Sequence, residues 1–264
     1  MGDQPASQGC SGKGFVSLVG AGPGDPELLT IKALRRLEAA EVIVHDRLIG
    51  PEILAMAAPS AERIYAGKER DRHFLRQVEI NELLVRRACR GQRVVRLKGG
   101  DPLIFGRGGE EIEALWQAGI PFEIVPGVTA AAGCAASAIV PLTHRDHAQT
   151  LIIATGHAQN GEPDLDWQAL CRPRQTLVFY MGHKEIDRLC QRLVQHGLPA
   201  DLPAALVENG TLPGQRVLRS TLAQLPATLH EARPSGPVLI ILGEVAGIVD
   251  PRARIGSAAA TVAR

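Results

Sequence analysis

The 264 residues carry 29 Lys and Arg against 28 Asp and Glu, a formal net charge of +1. So even a balance speaks against a general nucleic-acid or membrane-surface role, which needs a broad field of one sign. The length allows one large or two ordinary α/β domains, and the longest small-apolar stretch, residues 129–142, is too short to cross a bilayer.

Residues 1–14 are polar and glycine-rich and read as a disordered tail, as do residues 251–264. Between them, strands are expected at 16–19, 42–44, 93–97 and 122–125, with helices at 26–39, 78–90 and 110–118. This alternation predicts an N-terminal α/β domain over residues 15–126, with ligands at the carboxyl ends of its strands. A second series has strands at 151–154, 177–180, 204–207, 216–219 and 238–242 and a helix at 185–196 closed by Gly197, giving a C-terminal α/β domain over residues 127–250. "VPGVT", residues 125–129, is the expected hinge, since Pro126 and Gly127 end a strand and Thr129 can cap the next helix. The fold class is α/β: two domains with mostly parallel sheets and a ligand cleft between them.

The five cysteines, Cys10, Cys89, Cys134, Cys171 and Cys190, are odd in number and contain no CxxC pair. They read as reduced thiols of a cytoplasmic protein. No basic segment followed by an apolar run opens the chain, so a soluble, unprocessed protein is expected.

The first strand runs into Gly20-Ala21-Gly22-Pro23-Gly24, the usual opening of a dinucleotide site. Two residues contradict that reading. Asp25 stands where the fingerprint needs its last glycine, and Pro23 removes a backbone donor from the turn. The loop therefore signals close backbone approach to a ligand more firmly than it signals phosphate. A second stretch, "RLKGGDPLIFGRGGEE", lacks the Gly-Lys-Ser/Thr of a phosphate loop. Gly99 and Gly100 remove bulk where a strand ends, and Asp101 either forms a turn with its own backbone or contacts a ligand.

"VGAGPGDPELLT", "VIVHDRL", "AGKE...HFLRQVEINELLV", "RLKGGDPLIFGRGGEE", "PGVTAAAGCAA...PLTHRD", "FYMG" and "VENGT" occur in the order found in uroporphyrinogen-III C-methyltransferases. The chain resembles this family of tetrapyrrole (class III) methyltransferases over about residues 15–249. The resemblance implies S-adenosylmethionine as cofactor, converted to S-adenosylhomocysteine, in a cleft between two α/β domains of a homodimer, with no metal. It also implies cofactor contacts at Pro23, Gly99, Gly100, Asp101, Ile104, Thr129, Ala130, Met181 and Gly210. A sulfonium cofactor carries no phosphate, so small residues and backbone groups suit it better than an anion cradle.

The implied acceptor, uroporphyrinogen III, bears eight carboxylates, which arginine forks match in pairs. Arg47, Arg107 and Arg145 lie in motifs beside expected loops, and His157 and Met181 join them as substrate contacts; the arginines also have an ordinary reading as solvated charges, and His157 as a loop histidine. The implied reaction is methylation at C-2 and then C-7, giving precorrin-2 via precorrin-1 for sirohaem, cobalamin or haem d1. Asp46 matches the family's proposed proton acceptor and Lys68 a proposed donor; their alternatives are a turn carboxylate and a general attractor of carboxylates. Arg107 and Glu110 either polarise the macrocycle and accept from its N–H groups, or form a helix-cap ion pair. Gln77, Glu79 and Asn81 belong to the family pattern, with capping or dimer contact as their simplest role.

"HRDH", residues 144–147, has no DFG or ATP loop to make it a kinase element and no third ligand to make it a metal site. A later precorrin methyltransferase and, from the opening loop, an NAD- or FAD-dependent oxidoreductase remain as alternatives. No nucleic acid or membrane partner is expected. With no dehydrogenase or chelatase pattern in the chain, the step after methylation is expected to fall to another protein.

Overall fold

The computed structural model describes residues 14–67, 75–157 and 164–249, and the chain forms two compact units, Met1–Thr129 and Ala130–Arg264. In the first unit the elements run β1 (Phe15–Gly20), α1 (Ile31–Glu38), β2 (Val42–His45), α2 (Pro51–Ala55), β3 (Glu62–Tyr65), α3 (Gln77–Cys89), β4 (Arg93–Lys98), α4 (Gly108–Gln117) and β5 (Phe122–Val125). The sheet order is β3-β2-β4-β1-β5, every pairing parallel. Val19, Ile43, Val95 and Leu97 pack under Ala33 and Leu37 of α1 and Ile53 of α2, while Val16, Leu18, Val42, Val44 and Val94 pack under Leu84 of α3 and Leu115 of α4. Both faces are thus covered, which a parallel sheet requires. The connection leaving β1 passes β4 to reach β2, and that leaving β4 passes β1 to reach β5, so right-handed crossovers send α1 and α4 to opposite faces and part the loops at the two strand ends.

The helix expected at 26–39 is divided. The Asp25 carboxylate accepts from the Glu27 amide at 2.9 Å and starts a single 3-10 turn, Pro26–Leu28. Thr30 Oγ1 accepts from the Ala33 amide at 3.1 Å and starts α1. Asp25 stands in place of glycine because it caps a turn. Gly14, expected in the tail, is buried, and its amide donates to Ala88 O at 3.0 Å.

Glu123 of β5 sits opposite Ser17 of β1 and receives Arg36 and Lys32, one turn apart on α1. The Arg36 guanidinium, then the Lys32 ammonium and Ser17 hydroxyl, hold its carboxyl at about 2 against an ordinary 4.5. A depressed folded-state value stabilises the fold above pH 4.5 and loses that contribution as pH falls towards 2. Glu123→Gln is expected to cost about 1–2 kcal/mol near neutrality, after allowance for solvent screening, and to flatten this acid limb. Urea melts across that pH range check it; an unchanged acid limb refutes it.

The second unit contains α5 (Ala130–Ser137), β6 (Thr150–Thr155), α6 (Trp167–Leu170), β7 (Gln175–Tyr180), α7 (Ile186–Gln195), β8 (Pro203–Glu208), β9 (Arg216–Thr221), α8 (Leu225–Ala232) and β10 (Val238–Leu242). Its sheet order is β6-β7-β10-β8-β9. This second sheet is mixed: β6 and β7 are parallel, whereas β7/β10, β10/β8 and β8/β9 are antiparallel. The physical reason is connection length. Residues 209–215 are too few for a parallel crossover, which takes about a dozen or more, so β9 must return beside β8 in the opposite sense.

One face of this sheet packs on α7 and α8 through Phe179, Ile240 and Leu189, and the other on α5 through Val178, Val207 and Cys134. Cys134, Cys171 and Cys190 are free, and burial raises the Cys134 and Cys190 thiols to about 11 and about 12, so both are unreactive. Among the described residues no helix is long and apolar enough to cross a membrane.

Candidate active site

At the carboxyl end of the first sheet, three loops meet through glycine backbone. Ala21 N donates to Lys98 O at 2.8 Å, and Gly22 and Gly100 exchange amide hydrogen bonds of 3.2 and 2.7 Å. A Cβ on Gly20 would lie 2.6 Å from Gly100 O and Gly127 N, and one on Gly127 would lie 2.2 Å from Gly100 O. The loops after β1, β4 and β5 are therefore fused by contacts that only hydrogen side chains permit. Asp101 binds them together. Its Oδ1 accepts from Leu103 N at 2.9 Å and its Oδ2 from Gly127 N at 3.1 Å, so it forms its own turn and also clamps the loop after β5. Gly127, read from sequence as part of a hinge, is a component of this junction.

Beyond Asp101 the chain turns back on itself: Gly108 N donates to Pro102 O at 3.2 Å, and Phe105 and Arg107 take left-handed φ values of 52° and 58°. Leu103, Ile104 and Phe105 are 55%, 36% and 40% exposed, a run of apolar surface beside the glycine junction. Pro23 is half-buried next to Gly22, which has φ 76°. Gly99 faces Leu48, whose Cβ would lie 2.9 Å from an added Cβ.

Arg107 begins α4 and grips Glu110 with both arms of its fork, Nε to Oε1 and Nη2 to Oε2, each at 2.7 Å. The contact holds the Arg107 guanidinium above and the Glu110 carboxyl below their ordinary values. Both side chains are half-exposed, so the pair contributes only about 0.2–1 kcal/mol and is open to exchange with an incoming carboxylate. Of the two sequence alternatives, the helix-start ion pair is the arrangement present. Arg47 is exposed. Lys68 lies outside the described residues.

Asp46, at the end of β2, accepts from Leu48 N at 3.0 Å and lies 3.8 Å from Arg96 Nη2. Arg96, with Lys98 and Glu111, escaped the sequence reading. Arg96 and Lys98 project from one face of β4 and are 4% and 3% exposed; Glu111, on α4, is fully buried. Glu111 accepts from Arg96 Nε at 2.9 Å, from Lys98 Nζ through both oxygens at 2.9 Å, and from Gln77 Nε2 at 3.3 Å. Burial, and next the Arg96 guanidinium, push the Lys98 ammonium below its ordinary value, while Glu111 draws it back. Asn81 Nδ2 donates to Glu110 O at 3.2 Å, and Glu79 accepts from the Arg76 amide to cap α3. The signal available was two cations at alternate positions, Arg96 and Lys98, around Leu97 at the end of "RVVRLK", with a carboxylate in the following "GGEE".

In the second unit, candidate residues collect where the parallel pair β6/β7 ends. Gly156 N donates to Tyr180 O at 2.7 Å, and a Cβ on Gly156 would lie 2.5 Å from Gly182 Cα, so His157 and Met181 leave adjacent strand ends. Met181 has φ 55° and is 45% exposed. Tyr180 Oη accepts from the Ala131 amide at 2.7 Å, which fixes the start of α5 at Ala130. A Cβ on Gly210 would lie 2.2 Å from Cys134 Sγ, so packing against α5 alone demands glycine there. Arg145 is exposed and uses its carbonyl to accept from Arg174 at 2.9 Å. His147 bonds Glu244 at 2.6 Å, and His144 accepts from the Asp146 amide, so both histidines of "HRDH" are engaged locally.

Residues 16–226 match the tetrapyrrole (corrin/porphyrin) methylase family. The chain belongs to that family. A siroheme synthase of Nitrosospira multiformis is 58% identical over 89% of this chain and 50% of its own length; the chain spans about half the length of the curated relatives it matches. The uroporphyrin-III C-methyltransferase of Thermus thermophilus, solved in complex with S-adenyl homocysteine, is 41% identical, with a TM-score of 0.75 over 88% of this chain and 93% of that one. A cobalt precorrin-4 methyltransferase has a TM-score of 0.79 at 27% identity, over 90% of this chain and 96% of its own.

The junction of this tetrapyrrole methylase fits a cofactor without phosphate. The Ala21 amide is spent on Lys98 O and the Gly22 and Gly100 amides on each other's carbonyls, while Asp25 takes the Glu27 amide and Thr30 the Ala33 amide. Among the described residues no α-helix N-terminus opens directly on the glycine loop, so the usual pyrophosphate cradle is missing.

Proposed function

We propose that this chain methylates uroporphyrinogen III at C-2 and then C-7, using S-adenosylmethionine, to give precorrin-2 via precorrin-1. The observation that carries the reading is the fused glycine junction at the ends of β4, β1 and β5, a backbone floor with apolar Leu103, Ile104 and Phe105 beside it and no phosphate cradle. The kinship with the Thermus uroporphyrin-III C-methyltransferase supports the same acceptor.

When bound, S-adenosylmethionine supplies an electrophilic methyl whose sulfur departs as a neutral thioether. The chain's part is placement, an effect worth roughly 7–11 kcal/mol where reacting atoms are well oriented. Pro23, Gly99, Gly100, Asp101, Ile104 and Thr129 of the first unit and Ala130, Met181 and Gly210 of the second are the proposed cofactor contacts. Arg47, Arg107, Arg145 and His157 engage the acceptor's carboxylates, with Arg107 exchanging Glu110 for one of them. Asp46 accepts the proton lost when the methylated pyrrole regains its neutral form; Lys68 is the proposed donor. The working protein is a homodimer of the cytoplasm, serving sirohaem, cobalamin or haem d1.

Incubation with S-adenosylmethionine and freshly reduced uroporphyrinogen III is expected to add two methyl masses to the tetrapyrrole; no gain refutes the proposal. S-adenosylhomocysteine, and not NAD, is expected to raise the melting point. Arg107→Ala is expected to lower methyl transfer about 100-fold while keeping S-adenosylhomocysteine binding. Loss of both would place Arg107 in the cofactor site or the fold. The 0.79 TM-score to a cobalt precorrin-4 methyltransferase supports a second reading, action on a later corrin precursor, which a mass gain with that acceptor alone would establish.

A further inference from the structure

The buried ions under the first sheet's carboxyl edge need a reason beyond stability. An ion cluster of this kind is commonly no more stable than well-packed apolar residues of the same volume. Four groups take part, and their formal charges cancel: Arg96 and Lys98 against Glu111 and Asp46. Glu111 is shut away from water, whereas Asp46 is half-buried at the rim.

The Arg96 guanidinium is held on three sides. Nε donates to Glu111 Oε1 at 2.9 Å, and Nη1 donates to Val44 O at 3.3 Å and Leu97 O at 3.2 Å. This leaves Nη2 as the end nearest Asp46, in an ion pair with Oδ2 at 3.8 Å that is longer than a hydrogen bond, while Asp46 Oδ1 accepts from Leu48 N. A planar guanidinium fixed at three points holds its fourth edge still, so the carboxylate opposite it has one preferred setting. Glu111 also lies on the first turn of α4, next to Glu110 and four residues after Arg107.

We infer that Arg96, seated by Glu111 and Lys98, is a positioning residue that sets the Asp46 carboxylate and keeps it in register with the Arg107–Glu110 end of α4. The inference rests on Asp46 being the proton acceptor. Chemically, Arg96 touches neither acceptor nor cofactor; it acts through Asp46 alone. Lysine at this position keeps the charge but cannot make the same three anchoring bonds and still face Asp46.

The test is a double-mutant cycle on the full chain, with Arg96→Lys, Asp46→Asn and the pair, read as kcat and KM for methyl transfer and as S-adenosylhomocysteine affinity. Arg96→Lys is expected to lower kcat about 10- to 100-fold with KM and S-adenosylhomocysteine affinity unchanged, and to add no further loss once Asp46 is Asn. The same fold-loss in both backgrounds, an unchanged kcat, or a matching loss of S-adenosylhomocysteine binding would overturn it.

If Asp46→Asn runs below detection, Asp46→Glu takes its place, since it keeps a carboxylate that Arg96 no longer meets correctly. If Arg96→Lys does not fold, the variant carrying Arg96→Met, Lys98→Met and Glu111→Leu replaces it, because it removes every fully buried charge and leaves only the half-buried Asp46 without its partner. Full kcat in that folded variant also overturns the inference. Wild-type kcat in Asp46→Asn is a distinct result: it removes Asp46 as proton acceptor and the inference with it, while two-methyl mass gain by the same protein leaves the methyltransferase function standing.

Discussion

Glu111→Ala is expected to destabilise the first unit by about 3–5 kcal/mol, the usual cost of removing one partner from a buried ion cluster. The carboxylate accepts four hydrogen bonds in a site with no exposure, and its loss strands Arg96 and Lys98 as adjacent buried cations. Their repulsion is already visible in Lys98, whose ammonium burial and Arg96 together push below the ordinary value. The expected melting temperature falls by roughly 10 °C for a chain of this size. Denaturant melts would show it as a lower midpoint, and a change under 1 kcal/mol would mean that water reaches the cluster. The variant that makes all three side chains apolar should recover most of the loss, because no fully buried charge is left; Asp46 loses Arg96 but is only half-buried.

Gly127→Ala is the second large effect, of a different physical kind. The new methyl would sit 2.2 Å from Gly100 O and 2.8 Å from Gly20 Cα, and both obstacles are backbone. Side-chain rotation cannot relieve such a clash, so the loops after β1, β4 and β5 must separate and the Gly127 N to Asp101 Oδ2 bond must stretch or break. A cost of about 2–4 kcal/mol is expected, with S-adenosylhomocysteine affinity reduced at least tenfold. Gly109→Ala is the control: nothing lies within 4 Å of its added Cβ in the first turn of α4, and it should stabilise by about 0.4–1 kcal/mol. Calorimetric titration separates the cases. Undiminished affinity in Gly127→Ala would remove the junction from the proposed cofactor site.

The alternation of strands and helices was legible because each strand is a short apolar run between turn signals. β3 was not, since its sequence Glu62-Arg63-Ile64-Tyr65 is polar at one end and only four residues long. The direction of pairing in the second sheet lay in the 209–215 connection, a signal about neighbours that apolar runs do not contain. Asp25 was noticed at once as a misfit; that it caps a turn needed the backbone path to Glu27.

The cofactor candidates Gly99, Gly100 and Asp101 do gather at the carboxyl edge of the first sheet, with Gly20, Gly22 and Gly127. Their company came from strand order, which sequence spacing does not state. Arg96, Lys98 and Glu111 were missed for a related reason: burial is set by what packs on top, and α3 and α4 cover β4 only once the crossover is made.

The first turn of α4 carries two neighbouring carboxylates in opposite surroundings, Glu110 half-exposed against Arg107 and Glu111 fully enclosed by Arg96 and Lys98. Raising ionic strength from 0.1 to 1 M shortens the Debye length from about 10 Å to about 3 Å, and mobile ions can act only where they can enter. Added electrolyte therefore loosens the outer fork and leaves the inner cluster untouched. One helical turn holds both a contact that a dissolved salt can open and one that it cannot reach.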